Sequence, residues 1–228
     1  MDSTPPSPFC YDRILQLFTL LAISSTCFLP VMSLETVVLE HAPSSYKVYL
    51  ALFRNVRNSG FLHQQLLARN ADFEYAFVDA STIVSRVHLL SAIFKAVNNS
   101  FNGALKTPNV HSETVVSLSA SNNISDAYRR FGVSPSTTDL FVIKITFPSD
   151  SNPTPASADA ISQHLKDNVK GDIVPPSDES ISSIADVKTV RKNYKLNGLA
   201  WLDAIKDEVV KREEIEKLVL SGMALRGL

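Results

Sequence analysis

Arg86, His88 and Lys95 combine residue type and spacing in a way that suits a chemistry, and that chemistry is anion binding. They lie in the stretch STIVSRVHLLSAIFKA, Ser81–Ala96. With Ser85 as its cap, the stretch predicts a helix from Arg86 to about Val97, because a serine oxygen satisfies a backbone N–H left over in a first turn. At helical spacing, Val87, Leu89, Leu90, Ile93, Phe94 and Val97 share one broad apolar arc. His88, Ser91, Ala92, Lys95 and Asn99 fall on the opposite side. Arg86 then stands beside unpaired N–H groups that attract negative charge. Taken alone, the strip reads first as the solvated back of an ordinary amphipathic helix, with anion binding the second reading.

Catalytic patterns are missing elsewhere in the sequence. The seven glycines are scattered from Gly60 to Gly227, so they build neither a phosphate loop nor a dinucleotide turn. The five histidines show no i,i+4 pairing, which argues against a zinc site. No serine sits in a GxSxG elbow. Carboxylates gather at Asp207–Glu216, but Lys211, Arg212 and Lys217 share that run and make it an ion-paired face. From Met32 onward the chain reads as a binding subunit with no catalytic residue, no metal and no cofactor.

The elements that must position the strip follow from periodicity. Thr36–Leu39 and Tyr46–Arg54 read as strands, separated by a turn at Pro43-Ser44-Ser45. Ser59 predicts a helix over Phe61–Ala68, and Phe73–Val78 a further strand. Asn98–Thr107 is a loop signal with Gly103 at a tight turn. Glu113–Ala120 alternates and reads as a strand. Ser121 or Asn122 caps a short helix, Ile124–Phe131, that Gly132 stops. Asp139–Phe147 is the most strand-like run. Pro148–Ala158 is a Ser/Pro-rich linker. Ile161–Val169 and Ile181–Leu196 read as helices. The last helix, Leu199–Arg226, has a phase problem: Leu199, Leu202, Ile205 and Val209 form one stripe, and Ile215, Leu218, Val219 and Gly222 another. Together these predict an α/β (α+β) domain, a largely antiparallel sheet of about four to five strands packed with helices, the C-terminal helix docked upon it.

The 228 residues, 45% apolar and 20% charged, suffice for one domain with extensions. A formal charge of -1 excludes a protein that coats nucleic acid by charge alone. Both cysteines, Cys10 and Cys27, lie in Met1–Val31, so Met32–Leu228 has no disulfide framework. Met1–Val31 itself carries the apolar run Ile14–Ile23, short for a membrane span. Two readings of it are open: an over-extended start with Met32 as initiator, or a signal-like segment. The second defines an alternative, a secreted or membrane-anchored glycoprotein, for which Asn98 and Asn123 head glycosylation sequons. No membrane contact is expected for Met32–Leu228.

Three stretches carry a resemblance: YLALFRNVRNS at Tyr49–Ser59, IVSRVHLLSAIFKAV at Ile83–Val97, and ETVVSLSASNNISDAYRRFGVSP at Glu113–Pro135. ADVKTVRKNYKL at Ala185–Leu196 adds a weaker match. The chain resembles the PRPK-binding protein (TPRKB) family, the small kinase-binding subunit of the EKC/KEOPS complex. The resemblance implies a non-catalytic subunit that binds the small atypical kinase/ATPase of the complex and reaches the other KEOPS subunits through it. It implies a part in threonylcarbamoyladenosine modification of ANN-decoding tRNAs, with recruitment of the tRNA by its 3′ CCA end and no small-molecule substrate. It also implies a nuclear and cytoplasmic location and, in fungi, links to transcription and to chromosome ends through telomere maintenance. An unpaired CCA end needs a few cations, which Arg86, His88 and Lys95 supply. Arg129 and Arg130 form a second basic pair, equally explained as compensation of a helix C-terminus. For the kinase, Phe101 and Leu105 around Gly103, and the out-of-phase stripe of Ile215, Leu218 and Val219, are the expected apolar contacts.

Overall fold

Residues Leu34–Pro148 and Pro153–Arg226 are described by a computed structural model. The extension Met1–Val31 and part of the Pro148–Ala158 linker lie outside the described residues. The sheet contains β1 (Glu35–Val37), β2 (Lys47–Arg54), β3 (Ala76–Asp79), β4 (Leu140–Thr146) and β5 (Asp172–Val174). All pairings are antiparallel, in the order β1-β2-β4-β3, and β5 joins β2 beyond β1. Nine helices complete the described residues: α1 (Ser59–Leu67), α2 (Arg86–Phe101), α3 (Val110–Ser117), α4 (Ile124–Phe131), α5 (Ala158–Asn168), α6 (Asp178–Ile184), α7 (Val187–Asn193), α8 (Ala200–Asp203) and α9 (Glu208–Ala224). The expected α+β class with an antiparallel sheet is what the chain forms.

Both faces of the sheet are buried, which explains why β2 and β4 are nearly continuous apolar runs. Leu50 pairs with Ile143, and Ile143 with Ala76, so these side chains share a face. That face, with Val48, Leu52, Val78, Phe141 and Ile145, meets α2, α3 and α9 in the larger core. Shifted by one residue, Tyr49, Ala51, Phe53, Phe77, Leu140 and Val142 point the other way, into a smaller core with Leu62 of α1 and Ile161 and Leu165 of α5. Phe53, Phe77, Phe131 and Phe141 are fully buried, and burial of each side chain contributes about 1.5–3 kcal/mol.

Four elements differ from the sequence expectation. Glu113–Ala120 is not a strand: Asn109 caps α3 by accepting from Ser112 N at 2.8 Å. Every residue of α3 except Ser112 is buried, so its polar residues do not mark a solvent face and their alternation misleads. The Asn98-Asn99-Ser100 loop signal is absorbed into α2, where Asn99 Nδ2 donates to Glu113 Oε1 at 3.0 Å and Ser100 Oγ pairs with Tyr46 OH at 3.1 Å. Ile181–Leu196 divides into α6 and α7, because Asp186 caps a new helix from Lys188 N and its own N–H donates to Ser81 O at 2.8 Å. Leu199–Arg226 breaks at Ala204–Asp207, where Asp207 caps α9 through Val209 N and Val210 N. That break resolves the phase problem ahead of the charged run.

Candidate functional site

Helix α2 begins where expected. Ser85 is extended, its Oγ accepts from His88 N at 3.1 Å, and the same hydroxyl donates to Glu216 Oε1 of α9 at 2.5 Å. The anion that the first turn invites is supplied internally. Arg86 N donates to Asp178 Oδ1 at 2.7 Å, and the Arg86 guanidinium forms a two-pronged ion pair with Glu35 and donates to Pro176 O at 2.9 Å. The hydrogen bond to Glu35 holds the guanidinium proton still more firmly than usual. Arg86 thus ties α2 to β1 and α6.

His88 has no accessible surface. Its Nδ1 accepts from Val84 N at 3.3 Å, and its Nε2 lies 2.8 Å from Tyr194 OH, which donates to Leu118 O. This chain of partners selects the neutral tautomer with the proton on Nε2. Burial pushes its pKa down to about 3. The expectation that His88 faces a ligand is therefore corrected: it is an internal joint between α2, α7 and the end of α3.

Lys95 is partly exposed, and its Nζ donates to Met223 O at 3.0 Å, near the C-terminus of α9. Burial lowers its pKa, and the neighbouring charges of Arg226 and Lys106 lower it further. Two further cations, Lys106 and Arg226, therefore gather around Lys95. Arg226 donates to Val116 O and, through Nε, to Asn122 Oδ1 at 3.2 Å. Beneath them the buried Glu113 carboxylate accepts from Asn99 Nδ2, Lys106 N and Thr107 Oγ1, at 3.0, 3.0 and 2.8 Å. It fixes the loop that carries Lys106. Sequence reading missed Lys106 and Arg226, since neither belongs to the helical spacing of Lys95. Arg129 and Arg130 share one carboxylate, Asp126, and Arg130 Nη1 donates to Asn193 O at 3.2 Å. Arg130 Nε lies 2.7 Å from Asp126 Oδ2 but is not aligned for a hydrogen bond.

The apolar contacts are rearranged as well. Ile215 and Val219 are buried with Met223 along the inner side of α9, and Leu218 is packed against the same core. The expected exposed stripe on this helix is therefore a core stripe. Phe101 is 61% exposed and Leu105 is half-buried. The larger change is on α2 itself, whose buried arc is His88, Leu89, Ala92, Ile93, Ala96 and Val97. This arc is turned by about a quarter of a revolution from the predicted one. Val87 and Phe94, placed in the core by sequence, are instead 52% and 38% exposed. Val87, Phe94 and Phe101 recur every seven residues and so form one outward apolar ridge. Arg86–Glu35 at one end and Ser100–Tyr46 at the other fasten this ridge to the rim of the sheet. Among the described residues no cluster of His, Cys, Asp and Glu could hold a metal ion, and no helix is long and apolar enough to cross a membrane.

An α+β domain that presents a fixed apolar ridge next to localised cations is built to hold partners. A sequence profile of the family described as "Kinase binding protein CGI-121" matches residues 53–227, and the chain belongs to that family. Among named relatives, the EKC/KEOPS complex subunit CGI121 of Gibberella zeae is 62% identical over 197 residues, covering 86% of this chain and 100% of the relative. The subunit of the same name from Neurospora crassa is 50% identical over 210 residues, with 86% and 100% covered. That of Schizosaccharomyces pombe is 32% identical over 181 residues, with 79% and 94% covered. The family resemblance drawn from the three sequence stretches is thereby established.

Proposed function

We propose that this chain is the kinase-binding accessory subunit of an EKC/KEOPS complex, and that the Val87–Phe94–Phe101 ridge of α2 is its docking face for the small atypical kinase/ATPase. The observation that carries the reading is the ridge itself. Three large apolar side chains stand at one-heptad spacing on a helix whose other side is locked into the core. Exposed apolar side chains so aligned are the usual anchors of a helix-mediated interface. In a pull-down with the kinase subunit, Phe94→Asp combined with Phe101→Asp abolishes capture, whereas Trp201→Ala, at an exposed position on α8, leaves it intact. Undiminished capture by the double variant removes the ridge from the interface.

Within the complex the subunit supports threonylcarbamoyladenosine formation on ANN-decoding tRNAs without performing the chemistry. Lys95, Lys106 and Arg226 are the cations offered to the tRNA 3′ end. Their number is small, so affinity is shared with partner subunits. A Lys95→Glu variant binds full-length tRNA more weakly than the wild type in a mobility-shift assay, and equal binding removes the cluster from that role. The reading extends to a nuclear and cytoplasmic location and to the chromosome-end and transcription links of the fungal complex, on the strength of the family resemblance.

A further inference from the structure

The loop between β1 and β2 surrounds a cavity of about 320 Å³, lined chiefly by Val38, Leu39, Ala42, Pro43, Tyr46 and Lys47. Its shape follows from the ladder, which stops at Val37 and Val48. A tight hairpin would close there. Instead the chain makes two successive turns, Ala42 N donating to Leu39 O at 3.3 Å and Tyr46 N to Pro43 O at 3.0 Å. His41 carries the chain between them in the left-handed region, at φ 63°. Leu39, Ala42 and Tyr46 are packed against the larger core, and the stacking of Tyr46 on Phe147 at 4.5 Å holds that wall of the cavity in place.

Two observations at this cavity select a protein surface as its occupant. Val38 is 87% exposed, the most exposed large apolar side chain among the described residues. Edge strands are commonly guarded by charge, yet the residue that follows β1 is a bare valine. Lys47, in the same lining, has no ion-pair partner among the described residues. A nucleic acid fits poorly, because one cation among aliphatic side chains gains little from phosphates. A small molecule fits poorly as well, because such sites bury most of the ligand and the wall at Val38 stands free. What fits is a protruding apolar side chain with a carboxylate beside it, delivered by a surface that also covers Val38.

The cavity also continues the α2 ridge. Tyr46, part of its lining, pairs through its hydroxyl with Ser100, the neighbour of Phe101. At the Val87 end, Glu35 and Asp178 are spent on Arg86. Orientation of a partner along the ridge therefore falls to the Phe101 end, where Lys47 is unpaired. We infer that the kinase subunit seats a protruding apolar side chain in the β1–β2 cavity, with an acidic residue against Lys47. The inference rests on the proposed kinase-binding role and adds to the ridge a second anchor, one that sets the direction in which the partner lies.

The test titrates the full chain with the purified kinase subunit by calorimetry. Ser44→Trp fills the cavity from an exposed position of its lining, and Lys47→Glu reverses the charge of another. An unchanged near-ultraviolet circular dichroism spectrum checks that each variant is folded. Ser44→Trp should weaken binding by about tenfold or more. Lys47→Glu should weaken it too, with a larger loss at low salt than at high salt. A photo-crosslinking amino acid in place of Val38 should join the kinase subunit at an apolar residue next to Asp or Glu. Wild-type affinity in both cavity variants, with loss in Phe94→Asp combined with Phe101→Asp, overturns the cavity and leaves the ridge reading standing. Loss in the cavity variants with full binding by the ridge variant supports the cavity and removes the ridge. Crosslinks from position 38 to a second copy of this chain, with a dimer in sedimentation, make the cavity a self-interface and overturn the inference. A wild-type chain that binds no kinase subunit removes both readings.

Discussion

On one face of the sheet, Tyr49, Phe53, Tyr75 and Phe77 meet Phe73, Leu62 of α1 and Ile161 and Leu165 of α5 in an aromatic-rich core. Its side-chain polar joint, Tyr75 OH to His164 Nδ1 at 2.9 Å, sits at a partly exposed rim. On the other face, the aliphatic core under α2, α3 and α9 is threaded by buried polar joints. These are His88–Tyr194–Leu118, the Glu113 cluster, and His111 Nε2 accepting from Ile145 N at 3.0 Å. Apolar packing is non-directional and tolerates small slips, whereas buried hydrogen bonds fix rotation and register. The face that carries the ridge and the cations is the one whose helices are pinned in this way. The difference teaches that the position of the functional helix is set by directional bonds, while the opposite face chiefly supplies stability.

Acid gives the largest separation of the two faces. His88 and His111 are held neutral, each with its pKa pushed down to about 3 by burial; nearby Lys144 also lowers that of His111, and the bond from Ile145 partly opposes this. An unfolded histidine titrates near 6.5, so the unfolded chain takes up protons that the folded one refuses. The stabilising contribution is complete above pH 6.5. It is lost as pH falls towards 3, by about 1.4 kcal/mol per pH unit for each histidine. Hydrogen exchange at pH 5 should therefore rise in α2 and α3 before α1 and α5, and an equal rise on both faces would break the comparison.

Phe77→Ala probes the aromatic face and should cost about 3–5 kcal/mol in urea denaturation, because the cavity it leaves is fully buried. Kinase capture by the fraction that remains folded should be normal. Tyr194→Phe probes the pinned face and should cost about 1–3 kcal/mol, since His88 Nε2 and Leu118 O both lose a partner. Unlike Phe77→Ala, it should weaken kinase capture as well, through loosened seating of α2. Phe94→Asp with Phe101→Asp should shift stability by no more than about 0.5 kcal/mol per site, both side chains being partly exposed, and yet remove capture. A large stability loss in that double variant would mean that the ridge belongs to the core after all.

Legibility from sequence tracked how local each determinant was. The Ser85 cap and the start of α2, the strands β2 and β4, and the end of α4 at Gly132 follow from caps, β-branched runs and glycine chemistry within a few residues. The family likewise rests on contiguous stretches, Tyr49–Ser59, Ile83–Val97 and Glu113–Pro135. The rotation of α2 was not legible. Hydropathy places His88 on a wet side, and only Tyr194, distant in sequence, makes its burial tolerable. Once His88 turns inward, Ala92 and Ala96 permit close approach to the core, and Val87 and Phe94 are carried out to solvent. The same cause made α3 look like a strand: its polar residues face partners in the interior, not water. The amino-acid sequence by itself determined the class of fold, the start of α2 and the family. Which side of α2 faces outward, and which cations stay available, was decided by tertiary partners, because a buried polar side chain can be placed only when its hydrogen-bond partner is known.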